Sequence, residues 1–351
     1  MPRGVDVLKA GNGLAPSVVR TIPVPGAAVG LTISPGGQNL LAADGSGAVV
    51  INVPDAERGS PGAVLGTLST PASAIANGNP NASANGDASS AIEAAVSPDG
   101  QFAFVTLEYA DTAVVFNLGK ALRAGFGAAD YVGRIPLGQA AVGMAISPNG
   151  RYLYATSELA PQRGSAEGQP GSITRQHGTL TVIDLPRAET HPASSVVATV
   201  DAGCQPVRVI TAADGSQVWV TARASDDLLC FSAARLVSDP ARALVAVVRV
   251  GEAPVGLAAV DGGALIVVAD SNRFGAGGAV ANLDVVNVAA ALAGTTGTTG
   301  TTGNTAVVGH IPSGSFPREM AVLPDGTLLV SNYASNQVEA VDVASIPKPA
   351  S

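Results

Sequence analysis

Ala94-Ala95-Val96-Ser97-Pro98-Asp99-Gly100-Gln101-Phe102-Ala103-Phe104-Val105-Thr106 reads as strand, tight turn, strand. Ala94 to Val96 is a short apolar run. Pro98 presets its own φ, Asp99 can bond its own backbone, and Gly100 accepts the positive φ that closes such a turn. Phe102 to Thr106 is aromatic and β-branched, which suits a second strand. The hairpin recurs at Gly30 to Gly37, Met144 to Gly150, Val209 to Gly215, Leu257 to Gly263 and Met320 to Gly326, which makes six copies.

The flanking residues follow the same plan. After each turn comes a second strand: Leu40 to Ala43, Phe102 to Thr106, Tyr152 to Thr156, Val218 to Thr221, Leu265 to Ala269 and Leu328 to Ser331. A third follows: Ala48 to Val53, Ala113 to Asn117, Thr179 to Leu185, Leu228 to Ser232, Leu283 to Val288 and Val338 to Val343. A fourth precedes each hairpin: Val18 to Val24, Val64 to Leu68, Tyr131 to Leu137, Val196 to Val200, Leu244 to Val250 and Ala306 to Ile311.

A four-stranded antiparallel unit cannot bury both faces alone, whereas units stacked around an axis can. The expected fold is all-β, a six-bladed β-propeller of four-stranded antiparallel blades. Val18 to Val24 would complete the sheet that ends at Val338 to Val343 and so close the ring. Val5 to Leu8 reads as a further strand, which keeps seven blades as the alternative. Residues 18–346 then form one propeller domain, with an N-terminal extension at 1–17 and a tail at 347–351.

Phe104-Val105-Thr106, Tyr154-Ala155-Thr156, Trp219-Val220-Thr221 and Leu329-Val330-Ser331-Asn332 each follow the turn, and Ser335-Asn336-Gln337-Val338 opens a third strand. This pattern resembles the YVTN-repeat β-propellers (YncE-like, lactonase-like) over residues 18–346. The resemblance implies a propeller, typically of seven blades. Such propellers include lactonase-like proteins, ligand binders, surface-layer proteins and redox-partner domains, so lactone hydrolysis is one implied activity.

Composition agrees with many short strands. The 351 residues are 46% hydrophobic and 13% charged, with 42 Gly and 24 Pro. A formal charge of −8, with no Lys/Arg cluster, argues against nucleic acid as a partner. No apolar run reaches the roughly 18 residues of a membrane span. Met1 to Asp6 lacks the apolar core of a signal peptide, so the expected compartment is cytoplasmic, or secreted or periplasmic if a leader was removed. Cys204 and Cys230 are expected as free, buried thiols near opposite ends of one blade. Nucleotide, haem and flavin motifs are absent, as is a Gly-x-Ser-x-Gly elbow, so the cofactor is unassigned.

Long insertions fall on one face: Thr70 to Ser90, Leu159 to Gly178 and Ser271 to Asn282, the last with Arg273. The opposite face receives Gly119 to Asp130, expected to hold a helical turn, and the Thr-Thr-Gly linker Gly294 to Gly303. On the insertion face the six first strands align a column reading Gly30, Glu93, Gly143, Arg208, Gly256, Glu319. The glycines would make space at the channel mouth, and the charged residues would supply chemistry. Glu93, Glu319 and His177 are the acid/base candidates. Arg208 and Arg318 would hold an anionic group.

The turns after the second strands add ligand-binding candidates: Glu108, Tyr109, Glu158, Arg223, Asp270, Asn332 and Tyr333, with Asp44, Asp111, Asp226, Asp227 and Asn272 beside them. Such oxygens suit a divalent cation such as calcium, for which Glu93 and Glu319 are the metal candidates. His191 and His310 fall away from the mouth. Two functions follow: a small-molecule site at the mouth, as in a lactonase-like hydrolase, or a non-catalytic propeller that binds a protein, glycan or ligand through its long-loop face. In a third role for the charged column, Glu93 and Glu319 simply pair with Arg208 and Arg318.

Overall fold

The structure, a computed structural model, describes residues 4–9, 16–75, 90–160, 177–273, 281–294, 301–302, 304–342 and 345–346. The chain divides into two compact units. The first gathers strands β1 to β12 and most of β13 and β14. The second gathers β15 to β26 together with His177–Thr179 and the end of β14 from Val200.

In the first unit β1 (Gly4–Lys9) and β2 (Ser17–Pro23) form a hairpin. Next come the sheet β3 (Leu31–Ile33), β4 (Asn39–Asp44), β5 (Gly47–Asn52), β6 (Val64–Ser69) and the sheet β7 (Ala91–Val96), β8 (Phe102–Leu107), β9 (Thr112–Asn117), β10 (Tyr131–Pro136). The last is β11 (Gln139–Ile146), β12 (Tyr152–Leu159), β13 (His177–Asp184), β14 (Val196–Cys204). In these three sheets the strands lie side by side in chain order.

The second unit opens with β15 (Pro206–Thr211), β16 (Gln217–Ala222), β17 (Asp227–Ser232) and β18 (Leu244–Arg249). A fifth, parallel strand, β22 (Thr301–Thr302), joins the edge of that sheet at Val247 and Val248. The next sheet is β19 (Pro254–Val260), β20 (Leu265–Asp270), β21 (Asn282–Asn287), β23 (Val307–Pro312). The last has three strands: β24 (Pro317–Val322), β25 (Thr327–Asn332), β26 (Gln337–Asp342).

Two expectations are corrected. Val18 to Val24 does not complete the C-terminal sheet: as β2 it pairs with β1, Val5 opposite Ile22 and Val7 opposite Arg20. The hairpin lets Val5, Ile22 and Val24 bury against Ala42, Val49 and Ile51 of the neighbouring sheet. Counting the hairpin, the described residues form seven sheets where the motif count gave six, which favours the seven-blade alternative. The all-β stack is consistent with a β-propeller.

Within each unit, successive sheets pack face to face. Val50 and Leu68 meet Val105 and Phe116, and Phe104 and Val115 meet Leu153 and Ile183. In the second unit Trp219 and Val248 meet Val268 and Val286, and Val267 and Val285 meet Leu328 and Val330. Removing these side chains from water is the main stabilising term, about 1.5–3 kcal/mol for each fully buried Val, Leu, Ile or Phe.

The founding turn forms as expected. Gly100 has φ 71°, its N–H donates to Ser97 O at 2.8 Å, and the Ser97 hydroxyl donates to Asp99 Oδ1 at 2.6 Å. The expected helical turn is Leu118–Ala124. It belongs to a recurring device not anticipated from sequence. A short helix follows the third strand at Val53–Arg58, Leu118–Ala124, Leu185–Ala188, Ala233–Ser238 and Val288–Ala293. The caps are Asn52, Asn117, Asp184, Ser232 and Asn287, each accepting an N–H three residues on.

Both cysteines are free and buried. They do not share one blade: Cys204 ends β14, and Cys230 lies in β17, where burial pushes its thiol up to about 12. No helix among the described residues is long and apolar enough to cross a membrane.

Candidate functional site

A Thr or Ser near the end of four of the six second strands (Thr106, Thr156, Thr221 and Ser331) holds the aligned column residue of its sheet, where the other two have Ala43 and Ala269. Thr106 Oγ1 accepts from Glu93 N at 3.1 Å and donates to Val142 O of the next sheet at 2.8 Å. Thr221 Oγ1 accepts from Arg208 N at 3.1 Å and donates to Val255 O at 2.7 Å. Thr156 and Ser331 accept from Gly143 N and Glu319 N in the same way. Gly30 and Gly256 of the column do not open space as expected. A Cβ on Gly30 would collide with Ile92 O, and one on Gly256 with Arg318 O. Glycine there lets the neighbouring first strand come close.

In the first unit, Glu93 Oε2 accepts Met144 N at 3.3 Å. In the second, Glu319 takes a forked hydrogen bond from Arg208. Nε reaches Oε1 at 3.0 Å and Oε2 at 3.3 Å, and Nη2 also reaches Oε1. Arg208 is 7% exposed at its side chain and Glu319 40%, so the guanidinium is the buried partner. The Glu319 carboxylate therefore fixes Arg208.

Around this pair β24, the turn after β25 and the turn after β20 bring further groups. Arg318 Nε lies 4.0 Å from Glu319 Oε1, and its guanidinium lies over the Tyr333 ring at 5.7 Å. Arg273 lies over Phe316 at 5.6 Å, and Phe316 meets Tyr333 edge-on at 5.5 Å. Burial lowers the Arg318 pKa first and Arg208 second, with Arg273 adding to them. Glu319 and Tyr333 oppose. So Arg208, Arg273, Arg318, Glu319 and Tyr333, five of the sequence candidates, share one place. Phe316 was missed because it sits in the linker before β24, held at φ 56°.

The other candidates lie elsewhere. His177 opens β13 with Nδ1 2.7 Å from Asp201 Oδ2, and both side chains are exposed. The insertion before it, 161–176, lies outside the described residues, as do 76–89 and 274–280. Asp44, Asp111 and Asp226 accept backbone N–H groups of Gly26, Ala140 and Ala253 at 2.7, 3.1 and 2.9 Å, a structural role at linkers between strands. Asp227 lies 3.8 Å from Arg249. Glu108 and Tyr109 form a single turn with Ala110, and Glu158 is on β12.

Arg223 donates to Gln205 Oε1 at 3.2 Å, the Asn272 N–H donates to Glu252 O, and buried Asn332 accepts the Ser313 hydroxyl at 3.0 Å. Among the described residues no group of three or more His, Cys, Asp and Glu side chains is placed to hold a metal ion.

Asp270 belongs to a second cluster that the sequence did not reveal. It is 1% exposed. Asn282 Nδ2 donates to Asp270 Oδ2 at 3.1 Å and to Asp284 Oδ1 at 2.7 Å. His310 Nδ1 lies 2.5 Å from Asp284 Oδ1, and Gly251 N donates to Asp284 Oδ2 at 3.0 Å. Burial holds the Asp270 carboxyl well above the usual range, and the charge and hydrogen bond of Asp284 and then the charge of Asp226 add to it. The Gly251 N–H opposes. Arg249, Gly251, Asn282, Asp284, Val307 and His310 are among the residues lining a cavity of about 560 Å³. His310, set aside on sequence, thus faces a buried acid. The signal was an Asp inside the apolar run Leu283-Asp284-Val285-Val286, opposite His310 in the ladder.

No protein-family model matches the chain, and no curated protein is similar to it in sequence. Among solved structures, the hydrazine synthase of Kuenenia stuttgartiensis is similar with a TM-score of 0.66 at 16% identity, over 94% of this chain and 87% of that one. At that identity the likeness speaks for the fold alone, a β-propeller-like stack of antiparallel sheets.

Proposed function

We propose that the chain is a YVTN-type β-propeller whose second unit binds a small anionic molecule beside Arg208, Arg273 and Arg318. One observation carries this reading: Arg208 and Arg318 flank the Glu319 carboxylate, and Arg318, Tyr333, Phe316 and Arg273 continue from it in one chain of contacts. Arg318 is held at a lowered pKa by burial and by its cationic neighbours. A carboxylate or phosphate docking there relieves that penalty, and the rings flank it with apolar surface. Glu319 positions Arg208. In the lactonase-like version of this function, Glu319 also moves protons during ring opening. In the binding version, the long-loop face takes a protein, glycan or ligand without turnover.

Thermal shift with a panel of small carboxylates, phosphates and lactones tests the site. At least one anion should raise the melting temperature of the wild type by a few degrees. Arg318→Gln should lose that rise without melting earlier on its own. No responsive anion, or an equal response in Arg318→Gln, would sink the proposal. Lactone turnover that disappears in Glu319→Gln would select the hydrolase version. Binding without turnover would select the other.

A further inference from the structure

We infer that Asn149 is a chemical modification site: it deamidates when the turn between β11 and β12 opens, and the aspartate that results rebuilds the same turn. The site lies in the first unit and is independent of the anion site.

Asn149-Gly150 is the Asn-Gly step among the described residues; Asn12, Asn77 and Asn85, which also precede glycine, lie outside them. The glycine is required. Gly150 holds φ 66°, and a Cβ there would meet Pro98 Cγ of the neighbouring turn at 3.0 Å. No side chain therefore shields the nitrogen that follows Asn149, and Asn149 itself is exposed to water. In deamidation the Gly150 nitrogen attacks Asn149 Cγ. The new C–N bond closes a cyclic imide, the Cγ–Nδ2 bond breaks, and ammonia leaves with the former Gly150 amide proton. Water then opens the imide at one of its two carbonyls. One opening gives aspartate. The other gives isoaspartate, in which the main chain runs on through the side-chain carbonyl.

The folded turn holds both reacting groups in other bonds. The Gly150 N–H donates to Ser147 O at 2.8 Å. Asn149 Oδ1 accepts the Ser147 hydroxyl at 2.8 Å and the Arg151 N–H at 3.0 Å. Attack requires Gly150 to leave Ser147 and the carboxamide to turn from Arg151. The reaction thus runs through the opened turn, at a rate that scales with how often it opens.

The aspartate product already has a counterpart in the chain. Asp99 Oδ1 accepts the Ser97 hydroxyl at 2.6 Å and the Gln101 N–H at 3.0 Å, contact for contact the arrangement of Asn149. Asp214 and Asp325 accept the N–H two residues on in the same way, and those bonds hold their carboxyls below the usual range. Isoaspartate lengthens the backbone before Gly150 by one atom, so the closure from Gly150 to Ser147 no longer fits.

Peptide mapping by mass spectrometry of the full chain, aged in mildly alkaline buffer with and without urea, tests this. The peptide holding Asn149 should gain the mass of an amide-to-acid exchange at least about tenfold more slowly in the native chain than in urea. That comparison needs no variant. Ser147→Ala removes the hydroxyl that pins Oδ1; it should speed the native reaction several-fold and leave the rate in urea unchanged. Asn149→Asp should melt within about a degree of the wild type. Equal rates with and without urea, no mass gain in either, a Ser147→Ala chain that deamidates no faster than the wild type, or an Asn149→Asp chain that melts several degrees lower would overturn the proposal.

Discussion

At Asp270 burial and the neighbouring Asp284 push in the same direction, and Asp226 adds to them. The unfolded chain releases this proton in the ordinary carboxylate range, about pH 4. The native state keeps it to higher pH, so across that window the folded form binds more protons and stability falls as pH rises. Asp270→Asn removes the titration. Its melting temperature relative to wild type should be near parity at pH 4 and should climb steadily toward pH 8. A difference that stays flat with pH would show that Asp270 ionises normally. The sequence placed Asp270 at a turn but could not show its partner. Asp284 and His310 meet across the ladder, 26 residues apart in sequence, and only register brings them together. Gly256 teaches the same lesson, because the column showed a glycine but not the Arg318 carbonyl that requires it.

Among the elements, the second strand holds most of the repeating order. In four of the six repeats a hydroxyl near its end takes an N–H from its own sheet and, at Thr106 and Thr221, gives its proton to a carbonyl of the next. Thr221→Val keeps the shape and loses both bonds, leaving buried groups unsatisfied. It should destabilise by about 1–3 kcal/mol, read from denaturant unfolding, whereas Thr221→Ser should stay near wild type. A Val variant as stable as the parent would mean that the bridge contributes nothing. These strands were legible because turn residues and alternation are local. Phe102 to Thr106 was expected and Phe102–Leu107 is found. The helices after the third strands were not, since each is only four to seven residues long. Their signal was the Asn, Asp or Ser that ends the strand before them.

On the scale of the molecule, the sheet count turned on the N-terminal hairpin. The six repeats were counted by their turns, and β1–β2 has no Ser-Pro-Asp-Gly turn to announce it. Its role is to cover the sheet β3–β6, through Val5, Ile22 and Val24. A chain lacking residues 1–23 would expose Ala42, Val49 and Ile51. It should lose several kcal/mol, on the order of 1.5–3 for each of Val5 and Ile22, seen as a lower melting temperature and a stronger tendency to aggregate. Unchanged melting would mean that the hairpin is dispensable. The two buried thiols have a practical consequence. Cys230 stays protonated far above neutral pH, and Cys204 is almost wholly covered, so a maleimide dye meets no ready nucleophile on the folded chain. One cysteine introduced at exposed Ala334, next to Tyr333, would take the dye selectively and turn ligand arrival at the arginine cluster into a fluorescence signal.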